Sequence, residues 1–154
     1  MKRKTRLAGT VGAAAIALVG AWEGLRLTAY RDVVGMPTVC YGETLGVKLG
    51  DKHTKPECDA MLLASLRRHE TGMRNCLTRP DGIPAKSYIA FVSLTYNIGV
   101  GAFCRSTARK RLDAGDLKGA CDAGTWFKRA DGRVIPGLVN RRVAEHRLCL
   151  KGLK

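Results

Sequence analysis

Apolar residues recur at helical spacing near the start of the chain, with Leu18, Ala21, Trp22 and Leu25 on one stripe, and the spacing predicts a helix over about residues 9–28. The pattern then changes character. DVVGMPTVCYGETLG, beginning at Asp32, mixes short β-branched pieces with Gly and Pro, which predicts two or three short strands with tight turns over residues 32–48. Thr54 or Lys55 ahead of Pro56 marks a helix start, and that helix continues to roughly Gly72. RPDGIP, residues 79–84, reads as a turn. Residues 85–98 are apolar or aromatic nearly all round, the pattern of a central core helix. Ser106 is placed to cap a helix through Leu112, and Asp116 another through about Ala123. DGRVIPG is a further turn, and residues 137–150 form a last helix carrying Arg141, Arg142 and Arg147. The expected fold class is α+β: a mostly helical domain with a small antiparallel sheet near its N-terminus.

The apolar stretch at residues 7–22 contains no charge, and six of its sixteen residues are Ala and three are Gly. As a helix it spans roughly 24 Å, short of the ~30 Å hydrocarbon core of a bilayer. Lys2, Arg3, Lys4 and Arg6 precede it as a basic leader, and Val19, Gly20 and Ala21 are small residues of the kind a signal peptidase cuts after. A weak membrane anchor, a signal peptide and an ordinary helix each account for part of this. The expected organisation is residues 1–21 as a basic, weakly hydrophobic segment and residues 22–154 as one folded domain.

Charge narrows the partners. Lys and Arg total 27 against 13 Asp and Glu, a formal net charge of +14. Nucleic acid, phospholipid headgroups and an acidic wall polymer all suit such a surface. No recognition-helix or aromatic-platform pattern supports specific nucleic-acid binding. Cys40, Cys58, Cys76, Cys104, Cys121 and Cys149 are dispersed without a C-x-x-C pair, and His53, His69 and His146 are scattered, which argues against a zinc site. An even, dispersed set fits disulfides in an oxidising compartment, with fifteen possible pairings, or else buried thiols.

Two carboxylates stand out by position. Glu23 follows the uncharged run by one residue, between Trp22 and Leu25, and Asp32 opens the turn-rich segment, with Thr38 six residues further on. A helix end facing the lip of a sheet builds a cleft. A carboxylic acid on one wall, opposite a carboxylate and a hydroxyl, can protonate a glycosidic oxygen and position a water.

E-G-L-R-L-x-A-Y-x-D followed by G-x-P-T-V-C-Y-G resembles the phage-type lysozymes of glycoside hydrolase family 24, in which a Glu, an Asp nine residues later and a Thr six beyond it form the active site. The likeness continues through AFVSLTYNIGVGAFCRSTARKRLDAGD and ends with Trp126 and PGLVNRRVAEHRLCL. The resemblance implies a lysozyme-like fold with the sheet forming one wall of the cleft. It implies hydrolysis of the β-1,4 bond between N-acetylmuramic acid and N-acetylglucosamine in peptidoglycan by a monomer without metal or organic cofactor. Glu23 would be the general acid, with Asp32 and Thr38 orienting the attacking water or stabilising the oxocarbenium-like transition state. Where family members often carry a histidine after Y-G, this chain has Glu43. The N-terminal stretch resembles the signal-anchor-release sequences of some phage endolysins, implying export to the periplasm, transient inner-membrane association through residues 7–22, and release. A basic peptidoglycan-binding protein that has kept the fold and lost the chemistry is the alternative; the matched Glu23, Asp32 and Thr38 argue against it.

Overall fold

The computed structural model describes residues 4–154; Lys2 and Arg3 of the basic leader lie outside the described residues. The chain divides into two units, one formed by Arg6–Arg67 and the other by Arg68–Lys154 with Lys4 and Thr5. The division falls inside a helix.

The first unit opens with helix α1, Gly9–Glu23. Gly12, Ala15 and Val19 form its buried face. Glycine allows α1 to close on its neighbours: a Cβ at Gly12 would stand 3.1 Å from the Leu7 carbonyl carbon, and one at Gly20 would stand 3.0 Å from the Tyr41 ring. The helix is shorter than its apolar pattern predicts. Gly24 has φ 75° and ψ 145°, a conformation open to little but glycine, and it ends the helix five residues before Ala29. The residues assigned to the last helical turn instead form strand β1, Arg26–Arg31, which pairs antiparallel with β2, Pro37–Cys40. Helix α2, Lys55–Asn75, follows. Thr54 caps it, its Oγ1 accepting the Glu57 N–H at 3.3 Å.

In the second unit α3 spans Ala85–Ile98 and buries every side chain from Ser87 to Thr95, as its all-round apolar pattern requires. It packs on α7, Pro136–Lys151, where Ser87 Oγ donates to the Cys149 carbonyl at 2.7 Å. Between them lie α4, Val100–Cys104, α5, Thr107–Asp113, and α6, Leu117–Gly124. Ser106 and Asp116 cap α5 and α6 through the N–H groups of Arg109 and Gly119, as their positions predict. The short α4 was not signalled by the pattern. The segment expected as a turn near residue 131 is a hairpin of two two-residue strands, β3, Arg129–Ala130, and β4, Arg133–Val134.

All six cysteines are paired: Cys40 with Cys58, Cys76 with Cys104, and Cys121 with Cys149. Arg141, Arg142 and Glu145 are buried together on α7, with Ser93 Oγ donating to Glu145 Oε1 at 2.7 Å. Arg142 Nε lies 2.8 Å from Glu145 Oε2 but makes no directed hydrogen bond, so there it is charge proximity that compensates, while Nη2 bonds Oε1 at 2.9 Å.

Candidate active site

Glu23, Asp32 and Thr38 all belong to the first unit. Glu23 is the last residue of α1. It is half-buried, while its neighbours Trp22 and Leu25 are 38% and 37% exposed, so its surroundings are wetter than the sequence alone suggests. Gly24 turns the chain out of the helix, its N–H still bonded to the Gly20 carbonyl at 3.3 Å, and thereby sets where the carboxylate of Glu23 can reach.

Asp32 begins the turn that joins β1 to β2. Its carbonyl accepts the Gly35 N–H at 2.9 Å, and Gly35 takes φ 81°. The side chain repeats that wrapping: Oδ1 accepts the N–H groups of Val34 and Met36, each at 2.9 Å. A short carboxylate at the first position of a turn is suited to this, because its oxygen mimics a backbone carbonyl. Arg31 closes the turn with Nη1–H donated to the Gly35 carbonyl at 3.0 Å. Among the described residues, Oδ2 has no hydrogen-bond partner.

Thr38 sits on β2 opposite Tyr30 and is 4% exposed. Its hydroxyl donates to the Met36 carbonyl at 2.9 Å. The same carbonyl accepts the Asp32 N–H at 3.0 Å. Asp32 and Thr38 are thus brought together through one residue, Met36, which sequence reasoning passed over. Asp followed three residues later by Gly is the turn signal that could have found it.

The strands are anchored on both sides. Between Arg26 and Tyr30 the ladder is irregular, which frees that part of β1 to bond residues 51–53: Ala29 N–H donates to the Asp51 carbonyl and His53 N–H to the Leu27 carbonyl, both at 2.8 Å. At the far end of β2, Cys40 takes φ 61° and is crosslinked to Cys58 on α2, with the Cα atoms 5.0 Å apart. The next residue, Tyr41, packs under Gly20 of α1 and donates its hydroxyl to Asp59 Oδ1 at 2.6 Å. Lys55 holds the other oxygen of Asp59 at 2.8 Å. Those bonds, Lys55 first and then Tyr41, keep the Asp59 carboxyl below the usual carboxylate range.

Glu43 pairs with Val39 through its backbone in both directions at 2.9 Å, and its side chain is half-buried. The histidines are engaged structurally: His53 Nδ1 with Glu57 at 2.9 Å, His146 Nε2 with Asp122 at 2.8 Å, and His69 against a tilted Tyr96 ring with centroids 4.9 Å apart. Among the described residues no group of three or more His, Cys, Asp or Glu is placed to hold a metal ion.

A sequence model of the phage lysozyme family matches residues 20–145. The SAR-endolysin of Pseudomonas phage phiKMV is 40% identical over 150 residues, covering 94% of this chain and 91% of its own. The SAR-endolysin of Enterobacteria phage P21 is 40% identical over 134 residues, covering 84% of this chain and 78% of its own. Among solved structures, the endolysin from Escherichia coli O157:H7 phage FAHEc1 aligns with a TM-score of 0.82 at 30% identity, covering 97% of this chain and 96% of that one.

Proposed function

This chain belongs to the phage lysozyme family and is an endolysin of the muramidase type; from that premise we propose that Glu23, Asp32 and Thr38 carry out the hydrolysis. The bond cleaved is the β-1,4 link between N-acetylmuramic acid and N-acetylglucosamine in peptidoglycan, and the consequence is lysis of the host cell.

The observation that carries the assignment is the division of labour at Met36. Thr38 gives its hydroxyl proton to the Met36 carbonyl, which leaves the lone pairs of Oγ1 as acceptors. Asp32 ties one oxygen to the turn and keeps Oδ2 for other partners. A water donating one proton to Oδ2 and the other to Thr38 Oγ1 is held with its own lone pair directed away from both. Attack on C1 of the muramic acid residue passes the water's proton to Asp32. Glu23 protonates the departing oxygen as the C1–O bond breaks, and both carboxyls exchange protons with solvent before the next turnover. A water delivered this way inverts the anomeric centre.

Residues 22–154 act as the catalytic domain, working as a monomer, and residues 1–21 as a retained export segment with transient inner-membrane association through residues 7–22. No helix among the described residues is long and apolar enough to cross a membrane. What supports a transient role is the composition of α1: the side that it leaves exposed carries Ala13, Ala14, Ala17 and Ala21. Alanine is cheap to solvate and acceptable in lipid, so one helix suits both settings. The deciding experiment compares clearing of outer-membrane-permeabilised bacteria by the parent and by Glu23→Gln. Loss of clearing is expected for Glu23→Gln; equal clearing by both would remove Glu23 from the chemistry.

A further inference from the structure

The ladder between β1 and β2 is uneven: β1 runs from Arg26 to Tyr30 while β2 runs only from Cys40 to Thr38. Such an irregularity bends a strand and re-aims its side chains. Here Arg26 Cζ lies over the Tyr30 ring, 4.3 Å from its centroid. Four residues of straight strand span about 13 Å, so the contact depends on the bend and on the reach of the arginine side chain.

Arg26 is exposed, and among the described residues no carboxylate pairs with it. Two other arginines of the same unit spend their N–H groups on carbonyls, Arg31 on Gly35 and Arg67 on Leu7. A ring face holds a cation without neutralising it. Tyr30 therefore positions the guanidinium of Arg26 while leaving its charge and its N–H donors for a ligand. Part of the side chain's freedom is already given up, so less is lost when a ligand binds.

Tyr30 is paired with Thr38, and residues directly opposite in an antiparallel ladder project to the same face. The ring and its cation thus flank the hydroxyl proposed to hold the attacking water. Muramic acid differs from its glucosamine neighbour by a lactyl ether that ends in a carboxyl group. That carboxylate is free in bare glycan; where a peptide is joined to it, the peptide supplies carboxylates of its own. A guanidinium matches a carboxylate with two parallel N–H bonds. We propose that Arg26, seated on Tyr30, binds a carboxylate carried on the N-acetylmuramic acid residue and determines specificity for the anionic wall polymer over an uncharged N-acetylglucosamine chain. The inference rests on the reading of Glu23, Asp32 and Thr38 as the hydrolytic site.

The test measures KM and kcat at one ionic strength for the full-length parent, Arg26→Gln, Arg26→Lys and Lys110→Gln. Three substrates are compared: glycan strands carrying peptides, strands stripped of peptides so that the lactyl carboxylates are free, and stripped strands with those carboxyls blocked as methylamides. Lys110 is exposed on α5, so Lys110→Gln removes the same charge from another element. Arg26→Gln is expected to raise KM about tenfold on carboxylate-bearing strands, with kcat within twofold of the parent, and to leave the methylamide strands unaffected. A rise on stripped strands assigns the lactyl carboxylate; a rise confined to peptide-bearing strands assigns the peptide. Arg26→Lys, which keeps the cation, is expected to stay within about threefold of the parent, and Lys110→Gln to match it. The assignment would be overturned if Arg26→Gln matched the parent on all three substrates, or weakened the methylamide strands as much as the charged ones. An equal rise in KM for Lys110→Gln would overturn it too. Should the parent cleave none of the three, the hydrolytic reading fails instead, and dissociation constants for the same strands still decide whether Arg26 holds a carboxylate.

Discussion

Asp32 and Thr38 are held on opposite sides of one residue: the N–H of Met36 bonds the Asp32 carboxylate, and the carbonyl of Met36 accepts the Thr38 hydroxyl, both at 2.9 Å. The turn and the proposed water site are consequently the same object. Substitutions there separate two roles, holding the turn and activating water.

Asp32→Asn keeps an oxygen for the Val34 and Met36 N–H groups while removing the proton acceptor. Hydrolysis is expected to fall by a factor on the order of 10² to 10⁴, with the thermal midpoint shifted by only a few degrees. Activity within threefold of the parent would exclude Asp32 as the base.

Thr38→Ser and Thr38→Val differ in the one hydroxyl that matters. The serine variant retains the bond to the Met36 carbonyl and is expected to keep most of the activity. The valine variant leaves that carbonyl with the Asp32 N–H alone, costing about 1 kcal/mol of stability, and loses the acceptor for water. Its kcat is expected to drop at least tenfold; equal kcat for the two variants would assign Thr38 a packing role.

Gly24→Ala introduces no collision, since nothing lies within 4 Å of a Cβ there. The cost is conformational, about 1–3 kcal/mol for an L-residue at φ 75°, ψ 145°. Unfolding in urea measures that cost. A fall in activity larger than the unfolded fraction explains is expected, because the strain is relieved by moving the end of α1 that bears Glu23.

Two of the three disulfides should separate by function. Removing Cys121–Cys149 by double Ala substitution is expected to cost about 3 kcal/mol of stability and leave the folded fraction active. Removing Cys40–Cys58 costs a similar amount, yet also frees the end of β2 two residues from Thr38. Specific activity of the folded fraction should fall for this pair alone, and equal loss for both pairs would argue against a role for the crosslink in site geometry.

Acid should loosen the Tyr41 anchor. The Asp59 carboxyl is held low by Lys55 and Tyr41, so its contribution to stability is complete above its unfolded pKa of about 3.9 and disappears as pH falls through the lower folded value. Below about pH 4, the parent is expected to lose more stability than Asp59→Asn does between the same two pH values. Parallel loss in urea titrations of both proteins would show that Asp59 contributes nothing to acid sensitivity.

Local signals carried much of the architecture. Ser106 and Asp116 cap their helices because a short polar side chain ahead of an apolar period satisfies backbone N–H groups wherever it occurs. The core helix Ala85–Ile98 was readable to its ends because burial on all sides leaves no polar face. The same reasoning failed at the end of α1. Leu25 continues the helical stripe, but Gly24 leaves the helix and the strand partner of Arg26 lies at Cys40, which no window of local sequence contains.

The sequence alone singled out the residues proposed to act, Glu23, Asp32 and Thr38, along with six dispersed cysteines and an alanine-rich segment without charge. Tertiary structure alone decided which of the fifteen cysteine pairings is formed, that Met36 joins Asp32 to Thr38, and that Leu7 and Thr5 find their partners on α2 some sixty residues away. The physical reason is range. Caps and periodicities are satisfied within one or two turns of chain, whereas a disulfide, a bulged ladder and a buried carboxylate are satisfied only by residues that folding brings together.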